Sequence, residues 1–287
     1  MGLHGYLALW CAVWGTVALL GYGRSLAGMT RAQRTVRVGG RIERVGEPRH
    51  GGSRKAGIPV DVSYRAPSGG QEAVVTNDGD RDETITAAWT GREIAVHYPR
   101  GRPHAFRLTD GDSQEGDRGP GWPNFALFLV YAGVVVVAAI DRGWPWALVG
   151  FCGPWAVFGA YHLPGNVRDT RRRRETLASM VTVKGRVIAV LKDASTDGEG
   201  STFTISTPVV AFTTREGTAV TAYCPPGMPD PDGARGREVT VHYTPDDPAA
   251  FTLDRVAEHR SLRTDIPVNV VALLVIASAA VAGAVML

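Results

Sequence analysis

The sequence predicts a membrane α-helical protein: four transmembrane helices carrying two homologous small all-β domains, OB-like or SH3-like barrels. Three observations lead there. Four stretches of the 287-residue chain are almost free of charge, although the mean hydropathy of the whole is only -0.04. Gly91-Arg92-Glu93-Ile94-Ala95-Val96-His97-Tyr98 returns 145 residues later as Gly236-Arg237-Glu238-Val239-Thr240-Val241-His242-Tyr243. At the same offset Pro103, Ala105, Phe106 and Leu108 return as Pro248, Ala250, Phe251 and Leu253. Between the uncharged stretches, short runs alternate apolar and polar residues and stop at Gly, Pro or Asp, which is the signature of strands.

The first helix is expected over residues 1–23, with its apolar run at 6–23. About 20 apolar residues span the ~30 Å of a bilayer's hydrocarbon, and only a helix satisfies its own backbone there. A secretory signal would carry a basic leading segment. Met1-Gly2-Leu3-His4-Gly5 has none, so a retained anchor is expected although Ser25-Leu26-Ala27 resembles a cleavage site.

The first β-domain is expected over 24–121, with strands at 36–45, 59–64, 73–76, 94–98 and 106–108. In the repeated strand the period of two puts Ile94, Val96 and Tyr98 on the core side and Ala95 and His97 on the other. Helices follow at 122–140 and 144–163, joined by Asp141-Arg142-Gly143. The second β-domain takes 164–265, with strands at 181–190, 202–213, 219–223, 238–243 and 251–253, and the last helix takes 266–287.

Lys/Arg asymmetry gives orientation. Arg24, Arg31, Arg34, Arg37 and Arg41 follow the first helix, Arg168 and Arg171–Arg174 follow the third, and Arg255, Arg260 and Arg263 precede the fourth. The expectation is a multi-pass plasma-membrane protein with both β-domains cytoplasmic and both termini outside.

Val-x-Gly-x-Val near the start of a soluble segment, Pro-x-Val-x-aromatic in the middle, and Gly-x-x-Val-x-Val-x-Tyr-x-Pro-x-x-Pro near the end carry a resemblance. The last motif stands here as Gly236, Val239, Val241, Tyr243, Pro245 and Pro248. The chain thereby resembles the bacterial domain-of-unknown-function 3592 membrane family, in two tandem copies. The first copy departs from the pattern: Pro99 follows Tyr98 directly, and Arg100-Gly101-Arg102 replaces the acidic Asp246-Asp247. The resemblance implies a β-domain held between membrane helices and brings no catalytic residues.

Motifs for chemistry are sparse. His97 and His242 repeat, but no second metal ligand stands at a useful spacing, and a solvent-facing strand position accounts for both. Asn77 to Glu83 has the look of a calcium loop yet lacks Gly at the sixth position and Glu at the twelfth. Cys11, Cys152 and Cys224 form no metal or disulfide pattern, and no cofactor is expected. Arg171, Arg172, Arg173 and Arg174 are the candidate contact for anionic lipid, at about 1 kcal/mol per residue, as well as an anchor for the third helix. Nucleic acid is not an expected partner: 16 Lys/Arg face 13 Asp/Glu in the first β-domain and 14 face 14 in the second. The apolar helices carry no interior Asp, Glu, Lys or Arg, which disfavours an ion path. No nucleophile elbow, phosphate loop or zinc-protease motif occurs.

The function expected is therefore non-enzymatic: a membrane-tethered binding or scaffolding module whose paired β-domains hold a protein or peptide partner. A small-solute or lipid transporter and a membrane enzyme of unknown reaction stand as alternatives.

Overall fold

Apolar sequence forms the helices, and helix contacts run through small residues. The computed structural model describes residues 3–27, 35–54, 57–65, 72–77, 85–99, 105–110, 121–198, 200–225 and 227–287. The helices are α1 (Leu3–Leu26), α2 (Gly121–Arg142), α3 (Pro145–Ser179) and α4 (Arg255–Val285). Chain 1–33, 117–175 and 259–287 makes a helical unit; 34–116 and 176–258 make a β unit.

In the helical unit α1 and α2 are antiparallel neighbours. Trp10 Nε1 donates to Leu129 O at 3.1 Å, and Tyr22 Oη donates to Asn124 Oδ1 at 2.6 Å. A Cβ at Gly133 would lie 3.1 Å from Cys11 Sγ. Gly150 of α3 lies against Val135 of α2, Gly159 of α3 against Leu273 of α4, and Gly283 of α4 against Leu148 of α3. Small residues let helix backbones approach where lipid offers no hydrophobic drive to associate. Gly150 and Gly159 are therefore packing positions.

Three helices, α1, α2 and α4, are long and apolar enough to cross a membrane, where four were expected. The difference lies in α3. Its uncharged stretch is diluted by Trp146, Trp155, Tyr161, His162, Pro154 and three glycines, so aliphatic density falls below that of its neighbours. The helices also run further than hydropathy indicated. α3 continues through the arginine run to Ser179, and α4 begins at Arg255, so both take residues expected in the second β-domain. Arg, Glu, Leu and Ala are good helix formers in water, and a hydropathy scale registers burial in hydrocarbon, not helicity.

The β unit holds β1 (Thr35–Val45), β2 (Val60–Arg65), β3 (Glu72–Thr76), β4 (Ala87–Ala88), β5 (Glu93–Pro99) and β6 (Arg107–Thr109) from the first half. From the second come β7 (Val181–Thr196), β8 (Thr202–Thr213), β9 (Ala219–Tyr223), β10 (Glu238–Thr244) and β11 (Asp247–Thr252). One sheet has the order β3-β2-β1-β5-β6; the other has β11-β10-β7-β8-β9-β4.

Residues that recur at the 145-residue offset take equivalent registers. Val36, Val38 and Gly40 lie opposite Tyr98, Val96 and Ile94; Val181, Val183 and Gly185 lie opposite Tyr243, Val241 and Val239. A β-bulge falls between Ile42 and Arg44 in one half and between Val187 and Ala189 in the other. Gly91 and Gly236 take positive φ of 89° and 81°, and their amides donate to Ile42 O and Val187 O at 2.7 and 2.8 Å. Glycine is required at that φ because a Cβ would clash with its own backbone.

Ile94, Val96 and Tyr98 are buried as expected; Ala95, expected on the opposite side, is buried as well, while His97 on that side is half-buried. Tyr64 packs against Tyr98 with ring centroids 6.0 Å apart, and Phe212 against Tyr243 at 5.8 Å, both pairs tilted. At the centre of each half is a glycine without which the sheet could not close up. A Cβ on Gly40 would sit 2.7 Å from Val96 Cγ2 and 2.8 Å from Val62 Cγ1; on Gly185 it would sit 2.8 Å from Val241 Cγ2.

The halves are not separate bodies. β4 of the first half pairs with β9 of the second, with Ala87 opposite Ala222. Gly51 N donates to Val190 O at 2.8 Å, and Lys192 N donates to Gly52 O at 2.9 Å.

Overpacking of a filled core costs about 1–3 kcal/mol. Gly185→Ala is expected to lose that much in thermal unfolding of the detergent-purified protein, and Gly185→Ala with Val241→Ala to recover part of it.

Candidate functional site

The β7–β8 hairpin is much longer than its counterpart. The β1–β2 pair ends at Val45 opposite Val60, whereas β7 and β8 run on from Val190 opposite Pro208 to Thr196 opposite Thr202. Asp197 closes the arm: its Oδ1 accepts from Ser201 N at 2.7 Å and its own amide donates to Ser201 O at 3.0 Å, which ties the two ends of the hairpin turn together.

The arm is braced on both sides. His50 Nδ1 accepts from Val190 N at 3.1 Å, and Ser53 Oγ donates to Asp193 Oδ1 at 2.6 Å. Asp232 accepts from Ser206 Oγ at 2.5 Å and pairs with Lys192 Nζ at 3.2 Å. The Ser206 hydroxyl, followed by Lys192, holds the Asp232 carboxyl below the usual carboxylate range. Tyr223 Oη donates to Arg54 O at 3.1 Å, and burial raises its phenol to about 12.

The outer edge of β8 is a different kind of surface. Pro208 directs its carbonyl away from β7, to Cys224 N at 2.8 Å. With a period of two, Ser206, Thr204 and Thr202 turn their amides the same way. β9 pairs with β8 only from Val209 onward, and among the described residues no strand pairs with that edge over Thr202–Thr207. Thr202-Phe203-Thr204-Ile205-Ser206-Thr207 holds no charge and no proline, the devices that usually blunt an edge. Phe203 is 48% exposed and Ile205 42%.

The residues singled out by sequence lie elsewhere. His97 and His242 occupy equivalent, half-buried places opposite Arg37 and Thr182. The Thr182 hydroxyl lies 3.1 Å from His242 Nδ1. Among the described residues no group of three or more His, Cys, Asp or Glu is placed to hold a metal. Residues 78–83 of the acidic loop lie outside the described residues. Asn77 is a structural residue: its Oδ1 accepts from Val60 N at 2.6 Å, and its Nδ2 donates to Ile58 O at 2.7 Å. Cys224 is buried, and burial pushes its thiol up to about 12, so it has no thiolate to offer near neutrality.

Arg171, Arg172 and Arg173 are exposed on α3, where a lipid headgroup could reach them. Arg174 is turned inward, with Nη2 donating to Leu262 O of α4 at 2.8 Å and Nε buried without a partner. It ties two helices together and is the least available of the four for lipid.

Sequence reading missed two groups. Arg92 Nη1 lies 2.8 Å from Asp110 Oδ1 in a largely covered pair, stacks 4.8 Å from the Trp89 ring centroid, and also donates to Ala87 O. Asp110 Oδ2 accepts from Thr86 N and Oγ1 at 3.0 and 2.7 Å. This cluster holds the segment that delivers β4. The second is the arm edge, for which the only signal was the unusual length of the 202–213 strand.

Comparison with protein-family models, curated proteins and solved structures finds no match. The fold and the site are thus defined by their own geometry: a two-sheet β unit on a chain with helices able to cross a membrane.

The Tyr243 hydroxyl accepts from Arg215 N at 2.8 Å and donates to Glu216 Oε2 at 3.2 Å. Tyr243→Phe removes both hydrogen bonds of a buried tyrosine, expected to cost about 0.5–1.5 kcal/mol each, whereas His242→Ala should stay within about 0.5 kcal/mol of the parent in the same melt. Glu216 is held below its ordinary 4.5, first by its own backbone amide and then by the Thr214 hydroxyl. A depressed carboxylate favours the folded state when ionised. Its contribution is therefore complete above pH 4.5 and lost as pH falls through the lowered folded value. Glu216→Gln should remove that part of the acid-side slope in a series of melts.

Proposed function

We propose that this is a multi-pass plasma-membrane protein whose β unit, facing the cytoplasm, is a tethered binding module for an extended peptide segment. The observation that carries the reading is the uncharged outer edge of β8, with outward amides at Thr202, Thr204 and Ser206 and exposed Phe203 and Ile205. A free edge gives a peptide main-chain hydrogen bonds, and flanking side chains give it specificity. The bracing of the arm from both sides supports the same reading, because a preorganised edge loses less entropy on binding.

The finer architecture belongs to the same proposal. Equal strand order, equal register, equal bulges and the paired Gly91 and Gly236 support a tandem duplication of one β-domain. In each half the first strand is central, flanked by the second on one side and by the Gly-Arg-Glu strand on the other. That order and the kinked, bulged central strand suit an OB-like barrel better than a simple meander. The arginines after α1, within α3 and at the start of α4 support a cytoplasmic β unit and α3 as a fourth span. The resemblance to the domain-of-unknown-function 3592 family stands on the motifs of β10 and agrees with this arrangement.

Proline at 204 would delete an outward amide, as Pro208 already does in the same strand, while leaving the β7 pairing intact. A displayed peptide library against the full-length protein in detergent should select segments of alternating apolar residues. Thr204→Pro is expected to weaken the selected peptide at least tenfold with an unchanged melt; equal binding by this variant overturns strand addition. Orientation is checked by reporter fusions, active in the cytoplasm when inserted at residue 198 and outside when inserted at residue 143.

A further inference from the structure

The helical unit contains a cleft of about 550 Å³, within the ~300–1,000 Å³ typical of small-molecule sites. α1 and α2 line it in antiparallel step. His4, Leu7, Ala8 and Cys11 recur every third or fourth residue on one helix; Asp141, Ala138, Val137 and Val134 do so on the other. Seven residues of helix give a track about 10 Å long. Its walls are apolar, and alanines on both helices keep it open. One end alone is polar. There His4 Nε2 lies 3.6 Å from Asp141 Oδ1, and the Arg142 guanidinium stacks 5.2 Å from the Trp146 ring centroid. The Asp141 side chain remains 47% exposed, so the pairing with His4 leaves it accessible.

An apolar track ending in adjacent opposite charges is complementary to an amphiphile with a zwitterionic head. We propose that the cleft binds a phospholipid whose headgroup carries a phosphate and a primary ammonium. Arg142 takes the phosphate with its planar fork, Asp141 accepts hydrogen bonds from the ammonium, and one acyl chain follows Leu7, Ala8, Val137 and Ala138 inward. An anionic headgroup without an amine meets the Asp141 carboxylate unfavourably. A quaternary ammonium cannot donate to Asp141, and the Trp146 face that could hold it is taken by Arg142.

The test is lipid retention by the full-length protein, read by native mass spectrometry. The detergent is doped with equal parts phosphatidylethanolamine, phosphatidylcholine and phosphatidylglycerol. Phosphatidylethanolamine is expected to be retained about tenfold over the other two. Asp141→Asn and Arg142→Gln, both at exposed helix-end positions, are each expected to abolish that preference. Ala138→Leu should reduce retention of all three lipids by filling the track. Equal retention of the three lipids by the parent protein, meaning ordinary annular lipid, overturns the proposal, as does an unchanged preference in Asp141→Asn. Binding of soluble glycerophosphoethanolamine as tightly as the lipid overturns the acyl track.

Discussion

The β unit depends on one steric constraint: its two central strands must each carry a glycine where flanking valines meet. Gly40 lies between Val62 and Val96, and Gly185 between Val210 and Val241, with less than van der Waals room for a Cβ in both places. Removing the side chain lets the central strand bend inward, and the bulge two or three residues further on increases its twist. Gly91 and Gly236 then bring the next strand back at the correct register by capping the bulge with their amides. Tyr98 and Tyr243 can be core residues only because this crossing is so close.

The two halves use that shared geometry to different ends. The first half gives away its fourth strand and the loop around Gly51 and Gly52 to brace the second. The second half keeps a long hairpin that its counterpart lacks. Bracing converts what would be a marginal two-stranded ribbon into a rigid arm, since an isolated hairpin is barely stable in water. The binding edge proposed for the module and the asymmetry between the halves are thus one feature.

The helices obey a second economy. They meet through Gly133, Gly150, Gly159 and Gly283, and they keep charge at their ends. Arg174 shows the boundary between anchoring and packing, because one side chain of a basic run is spent on a carbonyl of the neighbouring helix. At the opposite end of the unit, Asp141 and Arg142 place both signs beside an apolar track, and a membrane supplies ligands of matching polarity in abundance.

Sequence alone determined the recurrence of residues at a 145-residue offset, most strand positions and the core side of β10, and placed Ile94, Val96 and Tyr98 of β5 in the core. These are local properties: alternation of two, glycine at turns, and runs long enough for hydrocarbon. It also located the uncharged stretches, but not that α3 and α4 continue through charged sequence, because hydropathy does not measure helicity. Only the tertiary structure joined β4 to β9, paired Arg92 with Asp110, turned Arg174 inward and, among the described residues, left the edge of β8 without a neighbouring strand over Thr202–Thr207. Each of these depends on which distant segment arrives alongside, and a pattern of period two or 3.6 carries no information about that.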